Sequence, residues 1–237
     1  MNVKEHYAIL SPNVKSEISQ LKQHVTSIRI PKTLIQNKEL NVIHYLLLSK
    51  VYQFSTQNLI PAQHTLAYCL GVSKRNIERT IQDLQNLQYI KYKWNKKVSP
   101  VKRITLTNPK IFRTRNFVQI PNVIASNEEI TSTAKIIYGA IYSEILNKGY
   151  CDATYRDMMD TLRVTHSSIA NSLQQLKQHE HIFIRKIKET CWSRNIYTID
   201  TKQLILQSEA ASFLFENYCA DDPLCFHSER KMMWMEG

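Results

Sequence analysis

The sequence predicts a mainly α-helical fold with β-hairpins (α+β), arranged as two similar units in tandem. Two observations predict it: a repeat with a period of about 90 residues, and in each copy a change from helix-like to strand-like spacing of the apolar residues. At 237 residues, with 43% hydrophobic and 22% charged residues, the chain can form two small domains that each bury a core. We expect an N-terminal arm or short helix over 1–26, units over 27–115 and 116–200, and a C-terminal helix and tail over 201–237.

The repeat opens with a short apolar segment that ends in proline. Ser-Ile-Arg-Ile-Pro at 27–31 recurs as Phe-Val-Gln-Ile-Pro at 117–121, and helix-spaced apolar runs follow at 39–54 and 131–146. At an offset of 92, eight positions then match in residue type. In the first copy they are Leu66, Leu70, Val72, Ser73, Ile77, Ile81, Leu84 and Ile90, and in the second Met158, Leu162, Val164, Thr165, Ile169, Leu173, Leu176 and Ile182.

The matched positions predict a helix-turn-helix in each copy. Their apolar members lie three and four residues apart, which indicates a short helix, a tight turn and a longer helix. The short helices are expected over 62–70 and 154–162. Gly71 can adopt the left-handed conformation of the first turn, and Ser73 and Thr165 are suitable N-caps for the longer helices. Arg163 replaces the glycine in the second copy, where we expect a costlier or a different turn.

Beyond each long helix the apolar residues alternate, as they do in β-strands. Strands are predicted over 89–94 and 101–107, around a polar turn, and over 182–188 and 194–199. A helix, a helix-turn-helix and a hairpin, in that order, are typical of a winged helix. The sequence therefore predicts two tandem winged-helix domains.

The charge of the chain favours a polyanionic partner, of which nucleic acid is the commonest. Lys and Arg number 31 against 20 Asp and Glu, which gives a net charge of +11. Twelve basic and two acidic residues lie within 73–115, whereas 201–237 contains six acidic and three basic residues. We expect a central cationic surface that binds double-stranded DNA.

In a helix-turn-helix the second helix enters the major groove with the face opposite its buried side. In the first copy this face contains Lys74, Arg75, Asn76, Arg79 and Gln82, with Asn86 beyond them. In the second copy the corresponding residues are His166, Ser167, Ser168, Asn171, Gln174 and Gln175, with Gln178 beyond them. The arginines are candidate guanine readers and the amides candidate adenine readers. The alternative for each residue is an ordinary solvated helix face.

Basic residues of the two hairpins are expected to contact phosphates and to supply affinity rather than sequence preference. They are Lys91, Lys93, Lys96, Lys97, Lys102 and Arg103 in the first copy, and Arg185, Lys186, Lys188 and Arg194 in the second. Trp94 and Trp192 lie within the same hairpins, where we expect them to belong to the core.

Three segments resemble replication initiators of Gram-positive plasmids and phages. Two of them are 30–52 and 117–142, the latter especially at Ala-Lys-Ile-Ile-Tyr, 134–138. The third, Leu-Ala-Tyr-Cys-Leu-Gly-Val-Ser-Lys-Arg-Asn-Ile at 66–77, is similar to the helix-turn-helix of that superfamily and of related bacterial regulators. The resemblance implies a protein that binds repeated origin sites and recruits host replication proteins. We expect direct repeats, read on major-groove faces about one turn apart; a transcriptional regulator of the same architecture is the alternative.

The sequence contains little that is typical of an enzyme. A G-x-x-x-x-G-K-[ST] phosphate loop is missing, and there are only four glycines. His179-Glu180-His181 is superficially similar to the paired histidines of metal-dependent rolling-circle nickases, which makes a nickase the minority alternative to a structural helix–hairpin junction. Cys219, Cys225 and His227 lack the paired Cys-x-x-Cys spacing of zinc sites. We therefore expect no catalytic residues, cofactor or metal.

The cysteines and the apolar runs indicate the cellular compartment of the protein. The five cysteines are scattered and no signal peptide precedes them, so we expect a reducing cytoplasm. The longest apolar run of the first half, 45–48, is far shorter than the roughly 20 residues that a membrane span requires. We expect no membrane partner and a monomer or homodimer, with the apolar residues of 201–218 forming a helix that docks on the second unit or on another subunit.

Overall fold

The structure, a computed structural model, describes residues 14–57, 59–94, 102–188, 193–221 and 226–227. It is 61% helix and 15% strand, and its strands form small antiparallel sheets. This composition confirms the predicted mainly helical class. No helix within these ranges is long and apolar enough to cross a lipid bilayer.

The first copy has the order of elements that the sequence predicts, and a short helix, α1 (Val14–His24), precedes it. The copy consists of β1 (Ser27–Pro31), α2 (Lys32–Ile35), α3 (Val42–Thr56), β2 (Leu59–Ile60), α4 (Gln63–Leu70), α5 (Lys74–Asn86), β3 (Ile90–Trp94) and β4 (Lys102–Leu106). A 3-10 turn, Pro109–Phe112, leads on to the second copy.

The second copy repeats this order, except that at the place of β2 it has only an isolated bridge, between Cys151 and Tyr197. It consists of β5 (Phe117–Pro121), α6 (Asn122–Ser126), α7 (Ser132–Lys148), α8 (Tyr155–Leu162), α9 (His166–Gln178), β6 (Phe183–Lys188) and β7 (Ser193–Thr198). A long helix, α10 (Thr201–Asp221), and a short strand, β8 (Phe226–His227), follow, and β8 pairs with β2 of the first copy. The strands β3 and β4, and likewise β6 and β7, form the two predicted antiparallel hairpins.

The first long helix of each copy begins at a capping residue. The Asn41 side chain accepts a hydrogen bond from the His44 amide and the His44 ring accepts one from the Asn41 amide, so α3 begins at Val42 rather than at 39. At the start of α7 the Thr131 hydroxyl oxygen accepts a hydrogen bond from the Ala134 amide. The predicted start at 39 is wrong because the side chain of Asn41 satisfies the first-turn amide of the helix from outside it.

The turn between the short and the long helix has the same geometry in both copies. Gly71 has φ 54° and ψ 49°, and Arg163 has φ 56° and ψ 41°. Of the two alternatives expected at Arg163, the turn is not different, and the left-handed conformation is the costlier one for a residue with a Cβ. The Arg163 guanidinium donates a hydrogen bond of 3.0 Å to the Gln36 carbonyl oxygen. Gly71 cannot be replaced by a residue with a side chain without a clash, because a Cβ there would lie 2.5 Å from the Ser126 carbonyl oxygen. The predicted N-caps, Ser73 and Thr165, are confirmed.

One continuous hydrophobic core runs through both copies. At its centre β1 pairs antiparallel with β5, and the helices α3 and α7 pack on these two strands. Gly139 of α7 makes the close approach possible, since a Cβ there would lie 2.5 Å from a side-chain carbon of Ile120. The two copies are therefore joined through their most buried strands.

The terminal helices pack against each other and against the second copy. Leu21 of α1 and Leu204 of α10 are buried, and α10 contacts both α1 and α6. The His24 Nδ1 and Glu209 Oε1 atoms lie 3.1 Å apart across the two helices. Of the two forms expected for the N-terminal segment, the short helix is present, and the described part of α10 docks within the chain.

Candidate nucleic-acid interface

The exposed face of α5 contains the residues predicted for the first copy. Ser73 Oγ accepts a hydrogen bond of 3.2 Å from the Asn76 amide and starts the helix there. Ile77, Ile81 and Leu84 are buried on one side, as their spacing predicts. The opposite side is exposed and contains Lys74, Arg75, Asn76, Arg79, Gln82 and Asn86.

The charge of this face is largely uncompensated within the described part of the chain. Lys74 lies 4.0 Å from Glu78, one helical turn away, which is a weak exposed pair. No described carboxylate forms an ion pair with Arg75 or Arg79. Both guanidinium groups therefore remain available to an anionic or guanine-bearing partner.

The exposed face of α9 is neutral. Thr165 Oγ1 accepts a hydrogen bond from the Ser168 amide, as an N-cap does. His166, Ser167, Asn171, Gln174 and Gln178 are exposed, opposite the buried Ile169, Leu173 and Leu176. The hydroxyls of Ser167 and Ser168 lie 3.1 and 2.8 Å from Thr165 Oγ1, and the His166 ring lies 4.8 Å from the Tyr155 ring.

Gln175 lies beside this face but is occupied within the protein. Its side-chain oxygen accepts a hydrogen bond of 3.1 Å from the Thr131 amide, and its nitrogen donates one of 2.9 Å to the Glu129 carbonyl oxygen. Gln175 thus holds the start of α7 against α9. The structure thus shows a structural role for this side chain, and its predicted DNA contact stays a prediction.

In the first hairpin, only some of the predicted basic residues lie within the described part of the structure. Lys91 is exposed. The strand register pairs Lys93 with Arg103, so two basic positions are neighbours across the hairpin. The side chains of Trp94, Lys93, Lys102 and Arg103 lie outside the described part of the structure, as do Lys96 and Lys97 altogether.

The described basic side chains of the second hairpin are either exposed or paired with a carboxylate. Arg185 and Lys186 are exposed. Arg194 instead lies 3.0 Å from Asp152, a half-buried carboxylate that also lies 3.4 Å from Lys148. This ion pair reduces the charge that Arg194 can offer to a phosphate. The Lys188 side chain and Trp192 lie outside the described residues.

The triplet His179-Glu180-His181 forms the junction between α9 and the second hairpin. Glu180 has φ 56°, close to the φ of 60° at Gln88 in the first copy, and the His181 amide donates to the Leu176 carbonyl oxygen. His179 Nδ1 lies 3.3 Å from a carboxylate oxygen of Glu129, and His181 Nε2 lies 3.0 Å from the side-chain Nδ2 of Asn127. Burial lowers the pKa of His181. These contacts support the structural interpretation of the triplet.

Within the described residues no group of three or more His, Cys, Asp and Glu side chains is placed to bind a metal ion. Of the cysteine and histidine residues of the tail, Cys225 and the side chains of Cys219 and His227 lie outside the described part. Cys69 and Cys151 are buried.

The junction between the copies contains residues that the sequence did not identify. Lys135 of α7 is 1% exposed, and its Nζ donates hydrogen bonds of 2.7 and 3.4 Å to the carbonyl oxygens of Leu70 and Gly71. Burial lowers the pKa of Lys135 to about 8. The one available signal was a lysine inside the helix-spaced apolar run of 131–146.

A second set of hydrogen bonds joins the copies in the opposite direction. The Gln36 side chain donates hydrogen bonds to the carbonyl oxygens of Asp160, at 3.2 Å, and Thr161, at 3.0 Å, while Arg163 donates to Gln36. The turn that precedes each of α5 and α9 is therefore held by the other copy.

Comparison with models of protein families found no match to this chain, and no curated protein matches it.

Proposed function

We propose that this protein binds double-stranded DNA sequence-specifically through two tandem winged-helix domains. The observation that carries the proposal is the exposed face of α5, where Arg75 and Arg79 stand free of described carboxylates on the second helix of a helix-turn-helix. Such a helix places its N-terminal half in the major groove. We call α5 and α9 the recognition helices.

The chemistry of the two recognition helices favours different bases. A guanidinium can donate two hydrogen bonds to O6 and N7 of guanine, which assigns guanine to Arg75 and Arg79. A carboxamide can pair with N6 and N7 of adenine, which assigns adenine to Asn171 and Gln174. Asn76 and Gln82 support the first helix, and His166 and Ser167 the second.

Exposed cations of the hairpins supply the affinity that does not depend on sequence. Lys91, Arg185 and Lys186 are exposed and follow the recognition helices directly along the chain. Each phosphate that such a residue neutralises releases condensed counterions, so binding weakens as salt is added. Arg194 contributes less because it is paired with Asp152.

The biological task that we propose is initiation of plasmid or phage replication at repeated origin sites. The support is the resemblance of 30–52, 66–77 and 117–142 to initiators, together with the fact that the fold carries these segments as parts of two like units. Recruitment of host replication proteins belongs to the same proposal. A transcriptional regulator would use the same contacts, and the position of its sites at a promoter would distinguish it.

The proposal is tested by fluorescence anisotropy with a duplex selected by the full chain from a random-sequence library. Arg75→Ala with Arg79→Ala is expected to lower the affinity at least about 10-fold, since one bidentate contact discriminates by about 1–3 kcal/mol. The matched control, Lys22→Ala with Lys202→Ala, removes two exposed charges from the terminal helices. Equal losses in the two double variants would contradict base recognition by α5.

A further inference from the structure

The two copies are related by an internal two-fold axis. Arg29 and Gln119 occupy equivalent positions in the repeat, and in the antiparallel pair β1–β5 they lie directly opposite each other. A residue that pairs with its own equivalent marks the position of a two-fold axis. The flanking pairs exchange equivalents, as in an isologous interface: Ile28 with Ile120, and Ile30 with Val118.

The helices obey the same symmetry. The equivalent helices α3 and α7 contact each other, as elements beside a two-fold axis do. Two further contacts are reciprocal, because α2 of the first copy packs on α8 of the second, and α6 of the second packs on α4 of the first. The symmetry therefore extends from the central strands to the helix-turn-helix units.

The turns that start the recognition helices are fixed in this arrangement. Lys135 bonds to the carbonyl oxygens of Leu70 and Gly71, immediately before α5. Gln36 and Arg163 join the copies immediately before α9. The Lys135 junction is buried, the Gln36–Arg163 junction consists of exposed hydrogen bonds, and the buried β1–β5 pair joins the same two copies, so the distance between the recognition helices is set by the fold.

The faces that the symmetry relates are chemically unlike. Arg75 and Arg79 of α5 correspond, at the offset of 92 residues, to Ser167 and Asn171 of α9, whereas Gln82 corresponds to an identical residue, Gln174. We therefore expect the two recognition helices to lie symmetrically on the DNA but to prefer different base sequences.

We propose that one chain reads two unlike half-sites placed in inverted orientation at one fixed spacing. The inference rests on the proposed function. A protein with a two-fold axis meets equivalent groups on DNA when its axis coincides with a dyad of the duplex, and the half-sites are then inverted. The two-fold axis thus favours inverted half-sites within each bound site, with centres about 10 base pairs or a multiple of that apart.

When two half-sites differ in sequence, the selected site does not show their relative orientation. The test therefore gives the exposed faces of both recognition helices the same side chains. The variant Ser167→Arg with Asn171→Arg gives α9 the two arginines of α5 at exposed positions. The full-length variant and the wild type are each used to select duplexes from a library with about 30 random base pairs. The variant is expected to select a palindrome of the guanine-containing half-site of the wild type.

A reciprocal variant controls for the added charge. Arg75→Ser with Arg79→Asn gives α5 the side chains of α9, and it is expected to select a palindrome of the other half-site. For the wild type, insertion of five base pairs between the half-sites is expected to lower the affinity at least about 10-fold, because it turns one half-site to the opposite side of the duplex.

The outcomes separate the inference from the proposed function. A direct repeat or a single half-site selected by the arginine variant would overturn the inference, as would affinity that ignores the five-base-pair insertion. In those cases the wild type still selects a specific sequence and the proposed function stands. If the wild type enriches no sequence at all, both are wrong.

Discussion

Lys135 is the residue that ties the stability of the junction to pH. Burial lowers its pKa from 10.5 to about 8, so the folded chain releases this proton before the unfolded chain does. Between about pH 8 and 10.5 the unfolded state binds more protons, and the free energy of unfolding therefore rises with pH. Below about pH 8 both states are protonated, and Lys135 adds nothing to the slope.

Comparison with Lys135→Met isolates this effect. Methionine has a similar length without a titrating group, and the buried tyrosines titrate in both proteins. From urea unfolding between about pH 7 and pH 10, we expect the wild type to gain about 1–3 kcal/mol relative to the variant. A stability difference that stays constant across this range would show that the Lys135 ammonium is not buried.

Gly71 and Arg163 share a backbone conformation, but we expect substitutions at the two positions to have different effects on stability. Gly71→Ala adds a Cβ at φ 54°, 2.5 Å from the Ser126 carbonyl oxygen, and we expect it to lower the free energy of unfolding by at least about 2 kcal/mol. Arg163→Gly relaxes the left-handed backbone and loses one exposed hydrogen bond to Gln36, so we expect a change below about 1 kcal/mol. Urea unfolding of the two variants measures both, and equal losses would exclude close packing as the reason for the glycine.

At the scale of single elements, the sequence predicts what depends on local patterns. The caps Ser73 and Thr165, the left-handed Gly71 and the alternating strands of both hairpins were predicted because each depends on neighbours within a few residues. The task of Gln175 was missed, since its partners Thr131 and Glu129 lie more than 40 residues away. Lys135 was missed for the same reason, because nothing near it in sequence indicates its partner.

The hairpins allow a prediction about salt dependence. Lys91→Ala and Lys186→Ala each remove an exposed cation, and we expect each to reduce the slope of log affinity against log salt by about one unit. Arg194→Ala removes a residue that is paired with Asp152, and we expect it to leave the slope nearly unchanged. Anisotropy titrations at about 50 to 300 mM salt measure the three slopes. A full unit lost in Arg194→Ala, with none lost in the other two, would place the phosphate surface elsewhere on the hairpins.

At the scale of the whole molecule, the two copies are expected to unfold together. Ile28, Ile30, Val118 and Ile120 are at most 1% exposed, and each copy buries these side chains against the other. We expect a single transition in urea, with circular dichroism and tryptophan fluorescence coincident. The fragment 27–115 is expected not to fold by itself. Two separate transitions, or a folded fragment, would show that the copies are independent domains.

The pairing of the two copies was beyond sequence reasoning. The segments 27–31 and 117–121 are recognisable as short apolar strands and as repeats of each other. A strand pattern carries no information about its partner, however, and a tandem repeat is naturally interpreted as two independent domains. The pairing of Arg29 with Gln119 instead joins the two units through their central strands.

The most direct test is a hydroxyl-radical footprint of the full chain on fragments of the genetic element that encodes it, at increasing salt. We expect salt-sensitive protection of repeated sites, each spanning two adjacent major grooves on one side of the duplex, within an AT-rich origin. Protection of a promoter alone would identify a regulator. The absence of any sequence-specific protection would contradict the central claim that the exposed faces of α5 and α9 read DNA.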